Sequence, residues 1–178
     1  PIPTIAHRTS PTNIGLSLLA NLTAWDFGYI PQCEVLQRIT LTLDTMDKME
    51  HYRGHLYNWY DTRTLAPLSP RYISSVDSGN LAGHLLTLSS GLRELKNQPI
   101  LDIPRIVAGL NDTLSIIENR WGKAAPSELK QMRKGLSEIA SLPTHAIFER
   151  LNSLITLVSN LQRLDINKDS VLNDWLEK

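Results

Sequence analysis

Apolar residues recur at three- and four-residue intervals along almost the whole chain, a pattern that predicts helices from end to end. Ser10 can cap a first helix that opens on Pro11, carries Ile14, Leu18, Leu22 and Trp25 on one stripe, and stops at Gly28. Pro31 starts a second, with Val35, Ile39, Leu43 and Met46 as its apolar line, ending near Gly54. Ser74 or Ser75 caps a third, whose buried line is Leu81, Leu85, Leu88, Leu92 and Leu95. Gly79 and Gly83, four apart at its start, mark a place where another backbone could approach closely.

The period changes between the second and third helices. His55, Tyr57 and Trp59 alternate with Leu56, Asn58 and Tyr60, so as a strand the two sets face opposite ways. Asp61-Thr-Arg-Thr reads as a turn, and Pro67 and Pro70 oppose helix, so residues 55–73 are expected to form a short, irregular β-hairpin. From Arg93 onward the texture is different: 23 charged residues stand there against 13 before it. Ordinary amphipathic helices are predicted from about Asp102 to Arg120, after Pro126, from Thr144, and from near Ser170, joined as antiparallel hairpins. The chain is thus expected to be one all-α domain over 1–178, motif-rich over 8–92 and charged over 93–178, with no fixed-period repeat.

Charge and composition remove several classes. Eighteen basic and eighteen acidic residues cancel, which gives no electrostatic case for nucleic acid or an anionic membrane surface. Cys33 stands alone, so no internal disulfide framework exists. No apolar run approaches the ~20 residues of a membrane span. The sequence opens at Pro1 without Met and closes inside an apparent helix, which reads as a piece of something longer.

The candidate chemistry lies in the middle of the chain. Residues 25–72 hold eight of the eleven Phe, Trp and Tyr residues, and Gly54–Asp61 and Tyr72–Asn80 add carboxylates and amides. Aromatic faces interleaved with Asp and Asn suit a sugar, which offers an apolar ring face and a rim of hydroxyls. Packing of a helical core by the same aromatics is the plainer alternative. Other motifs fail. Asp165–Asp169 begins like a calcium loop but has Ser170 where Gly is needed and Leu176 where Glu is needed. His51 and His55 have zinc-like spacing without a Glu between them, and His84 reads as a hydrogen-bonded core or rim histidine rather than a catalyst. Asn21 and Asn111 match glycosylation acceptors inside predicted helices, and no nucleophile elbow or phosphate loop is present. No metal or cofactor is expected.

Four runs carry a family resemblance: Arg8–Leu16, Asp26–Ile30, His55–Thr62 and Ser74–Leu86, in that order. Together they resemble the cyclic β-1,2-glucan synthases, large bacterial membrane proteins that join a glycosyltransferase, a glucoamylase-like transglycosylation region and a phosphorylase-like region. The resemblance is dense over residues 8–92 and faint from 93 on. It implies a place just before, or at the start of, the glucoamylase-like region, an (α/α) toroid of helical hairpins, on the cytoplasmic face of the inner membrane. It further implies retaining chemistry that cyclises linear β-1,2-glucan, for which two carboxylic acids about 5–5.5 Å apart are required. No such pair is assigned here; the resemblance puts the catalytic glutamates beyond Lys178, and Glu94, Glu118, Glu128, Glu138 and Glu149 read as solvated helix-face charge. What it carries over is a share of a glucan-binding surface. Tyr57 and Trp59 would stack on sugar rings; Asp61, Asp77 and Asn80 would bond hydroxyls; Asn13 would join them or only cap its helix. Asp77 has a structural alternative, since an acid in a first helical turn is favoured by the helix dipole. The expected partners are β-1,2-glucan and the remaining domains of a parent polypeptide. The segment itself is expected to be soluble, inert alone and prone to self-association. A non-catalytic helical adaptor, packing the toroid against the synthase, is the alternative function.

Overall fold

In the computed structural model, residues 5–122, 125–139 and 141–163 are described. The helix expected near Ser170 and the Asp165–Asp169 motif lie outside them. The described chain is all-α with short β pairings: β1 (Arg8–Thr9), α1 (Pro11–Asp26), α2 (Gln32–Lys48), β2 (His51–Tyr52), β3 (His55–Leu56), β4 (Tyr60–Asp61), α3 (Ser75–Leu95), α4 (Ile103–Trp121), α5 (Ser127–Ile139) and α6 (Thr144–Arg163). Most start and stop signals act as anticipated, but α2 ends at Lys48 rather than near Gly54, which instead forms the turn of a hairpin. Ser10 Oγ accepts from the Asn13 N–H and Ser74 Oγ from the Asp77 N–H, Pro11 opens α1, and Gly28 and Gly122 take positive φ past helix ends.

The chain packs as two compact units. The first comprises residues 1–26 and 30–101; the second comprises 27–29 and 102–178. In the first, Asn21 meets Arg38, and Ile14 lines a cavity with Thr45 and Met46, so α2 runs antiparallel to α1. In contrast, α1 and α3 are parallel. Thr12 bonds Asp77, a Cβ on Gly15 would strike His84, and one on Gly91 would strike Leu22, so the contacts climb both helices in step. The close approach predicted at Gly79 and Gly83 is made instead by Gly15 and Gly91; nothing lies within 4 Å of a Cβ at either of the former. Around this pair sits the core of Ile14, Leu18, Leu22, Trp25, Val35, Ile39, Met49, Leu56, Tyr60, Leu88 and Leu95.

The segment between α2 and α3 pairs in three directions. His51–Tyr52 and His55–Leu56 form a two-residue hairpin, whose loop residues Arg53 and Gly54 have φ of 49° and 82°. Residues 58–72 then fold back irregularly: Asn58 N–H donates to Tyr72 O, Leu68 N–H to Trp59 O and Asp61 N–H to Ala66 O. The outer edge of Tyr60–Asp61 pairs antiparallel with Arg8–Thr9. The predicted alternation holds throughout, with Leu56, Asn58 and Tyr60 buried and His55, Tyr57 and Trp59 at least partly exposed.

In the second unit α4 packs on α5 and α5 on α6, around Leu114, Ile117, Leu129, Leu136, Ile139, Ile147, Leu154 and Leu161. Glu118 and Glu138 are not simply solvated, as their helix-face positions suggested. Each is half-buried and paired with an arginine of the next helix: Arg133 grips both oxygens of Glu118 at 3.2 and 2.6 Å, and Arg150 pairs with Glu138.

Candidate functional site

All six sugar-contact candidates derive from the end of the first unit where α1 and α3 begin. The parallel packing of these helices brings both N-termini side by side, with their capping serines. Asp77, in the first turn of α3, lies between the two. Thr12 Oγ1 donates to Asp77 Oδ1 at 2.6 Å, and Asn80 Nδ2 donates to Thr12 Oγ1 at 3.1 Å. The hydroxyl of Ser74, followed by those of Thr12 and Ser10, holds the Asp77 carboxyl below the usual carboxylate range against the opposing effect of partial burial. Asp77 is therefore an ionised acceptor at neutral pH, not a proton donor. Asn13 is exposed in the first turn of α1, its N–H bound to the Ser10 cap. Asn80 is exposed as well, and its Oδ1 has no hydrogen-bond partner among the described residues.

Tyr57, Trp59 and Asp61 belong to the neighbouring loop. That loop is tied to both helix entries: β1 leads directly into α1 and pairs with β4, while Tyr72, two residues before the α3 cap, holds Asn58. Tyr60 anchors it from within. Its ring is fully buried, and its hydroxyl donates to Glu50 O at 2.6 Å and accepts from Tyr57 N–H at 2.8 Å. Burial raises the pKa of this phenol. Tyr57 is half-buried, its ring tilted 61° to that of Tyr60 with centroids 6.4 Å apart, and Arg71 lies 6.0 Å from its centroid. Trp59 is half-buried too, and the Arg8 guanidinium sits 4.9 Å from its ring centroid, covering one face.

Asp61 is the candidate most fully engaged by its own surroundings. Its carboxylate accepts from the Arg63 and Thr64 N–H groups at 2.8 and 3.1 Å and from the Arg63 guanidinium at 3.0 Å. Those bonds, the Arg63 side chain first, hold it far below the ordinary range. It shapes the turn that the sequence predicted there.

Elsewhere the sequence-level suggestions resolve into structural roles. His51 and His55 occupy adjoining strands of the tight hairpin. His84 packs on Gly15 with its Nδ1 buried and unpartnered among the described residues. Asn21 and Asn111 donate to the carbonyls of Ser17 and Val107 one turn back in their helices. Thr12 and Arg8 were not singled out from the sequence. Thr12 bonds a residue 65 positions away, and no local pattern announces such a partner.

The fold and this grouping define an all-α protein whose first unit gathers hydroxyl, amide, carboxylate and aromatic groups where two parallel helices begin. No protein-family model matches the chain. Over 154 residues it is 44% identical to the cyclic beta-(1,2)-glucan synthase NdvB of Rhizobium meliloti (strain 1021), a match that covers 86% of this chain. The chain belongs to the cyclic β-(1,2)-glucan synthase family, and it spans 5% of the length of that relative. Among the described residues, no helix is long and apolar enough to cross a membrane.

Proposed function

We propose that the chain serves a cyclic β-(1,2)-glucan synthase as part of the glucan-binding wall of a retaining transglycosylase that cyclises linear β-1,2-glucan. In this reading it lies at the start of a glucoamylase-like helical toroid. The observation that carries the reading is the convergence of Asn13, Asp77 and Asn80 at two adjacent helix entries, with the Tyr57–Trp59 loop fastened to the same entries. An ionised carboxylate and an exposed amide accept hydrogen bonds from sugar hydroxyls, and the half-exposed indole of Trp59 offers a ring to stack on. Asp61 supports the loop rather than the sugar, and Asn13 flanks the polar group. Both acids of the site are held ionised, so neither suits the role of proton-donating acid that retaining chemistry needs. The catalytic pair would come from elsewhere in the synthase, and the segment binds without turning over.

A second reading, a helical adaptor that packs against other parts of the synthase, is favoured by Leu16, Val76 and Leu86. These protrude from α1 and α3 with 51%, 70% and 75% of their surface exposed.

Two variants in a longer synthase polypeptide, assayed on linear β-1,2-glucan, separate the readings. A stacking Trp59 predicts that Trp59→Ala weakens glucan use by about 1–3 kcal/mol, on the scale of base–aromatic stacking, with little change in Tm. Asp77→Asn should be stable and strongly impaired. Normal activity of Asp77→Asn, together with a stability loss of about 3–5 kcal/mol for Trp59→Ala, would establish the adaptor instead.

A further inference from the structure

We propose that Thr12 is the positioning residue of this site, its one hydroxyl setting both the Asp77 carboxylate and the Asn80 amide for a pair of sugar hydroxyls. The role rests on the glucan-site reading above. A threonine hydroxyl has one proton to give and lone pairs to accept with, and Thr12 uses both functions on α3. It donates to Asp77 Oδ1 at 2.6 Å and accepts from Asn80 Nδ2 at 3.1 Å. Asp77 and Asn80 are three residues apart, so they lie on one face of α3, and Thr12 addresses them jointly from α1. With Nδ2 bound to Thr12, the other branch of the planar Asn80 amide is the acceptor Oδ1, which has no protein partner among the described residues. Without this bond Asn80, an exposed side chain, would sample its rotamers freely and lose the benefit of being set in advance.

The packing of the helices does not require this hydroxyl. Gly15 against His84, Gly91 against Leu22 and the buried apolar residues already fix α1 on α3. What the hydroxyl adds is the orientation of two polar groups at an exposed rim. The result is rich in acceptors and carries one negative charge. It therefore suits a neutral polyol, such as the vicinal hydroxyls of a glucosyl unit.

Thr12→Val removes the hydroxyl at constant shape and Thr12→Ser keeps it. In the 178-residue chain the Asp77 carboxyl is titrated by ¹³C NMR, and affinity for linear β-1,2-glucan is measured beside it. The Asp77 midpoint should rise in Thr12→Val and stay in place in Thr12→Ser. Affinity should fall about tenfold in Thr12→Val and return in Thr12→Ser, the scale of one hydrogen bond, with helix content unchanged in both and Tm lowered in Thr12→Val only by the small loss that goes with the Asp77 shift. An unmoved Asp77 midpoint in Thr12→Val overturns the proposal. So does equal glucan affinity in Thr12→Val and the parent chain, which would leave the glucan reading itself standing. If the parent chain binds no linear β-1,2-glucan while the midpoint still shifts, the glucan reading fails and takes this positioning role with it.

Discussion

Among the described residues the two units are each built on three main helices and an apolar core, yet they use polar side chains in different ways. The first joins its elements through a hydroxyl, a carboxylate and an amide at the start of two parallel helices, and through a loop whose tyrosine hydroxyl is buried. The second joins successive antiparallel helices through arginine–glutamate pairs at the edge of the core. Ion pairs of the second kind add modest stability. The first arrangement concentrates polar groups at one exposed end, which is what a recognition surface needs.

That contrast can be broken most directly in the cores. Tyr60→Ala removes a fully buried ring and leaves Glu50 O and Tyr57 N–H unpaired, so a loss of about 3–5 kcal/mol is expected. Hydrogen exchange should show it confined to α1–α3 and the strands, just as Leu136→Ala, at about 2–5 kcal/mol, should loosen α4–α6 alone. Equal loss of protection in both units after either change would contradict the division.

The glycines give the next effect. A Cβ at Gly15 would lie 2.3 Å from His84 Nδ1, so Gly15→Ala should cost about 1–3 kcal/mol in thermal or urea unfolding. Gly79→Ala and Gly83→Ala, facing open space in the same unit, should stabilise by about 0.5–1 kcal/mol.

Acidification distinguishes the polar networks. The folded pKa of Asp77 is depressed, so its contribution is complete above its unfolded value of about 4 and is lost as pH falls through the folded value. Denaturant midpoints should therefore fall below about pH 4 in the parent chain and fall less steeply in Asp77→Asn. An identical pH dependence in the two would show that the Thr12–Asp77 bond adds nothing. In the second unit, Arg133→Met should cost only about 1 kcal/mol, since the pair is half-exposed.

Much of this fold was legible because its signals are local. Caps at Ser10 and Ser74, stops at Gly28 and Gly122, and the alternation of residues 55–60 each follow from neighbours a few positions away. The partners across the chain were not. Tyr60–Asp61 reads as a strand, but nothing near it reveals that Arg8–Thr9 lies alongside. Gly79 and Gly83 had the right spacing for close packing on the wrong face; spacing within one helix does not say where its neighbour lies. The site followed the same division. Asn13, Tyr57, Trp59, Asp77 and Asn80 stood out by residue type and family resemblance. Thr12 and Arg8 gain their roles only when the helix entries meet. Asp61 looked alike in sequence but is occupied by Arg63 and Thr64, a turn chemistry that competes with any ligand role.

The most direct test of the proposal that this end binds glucan is a titration of the isotopically labelled chain with linear β-1,2-glucan, followed by ¹H–¹⁵N correlation spectra. The account predicts saturable shifts in the side-chain amides of Asn13 and Asn80 and the indole N–H of Trp59, with the amides of α4–α6 unmoved. Unchanged spectra at saturating glucan, or shifts centred on α4–α6, would contradict it.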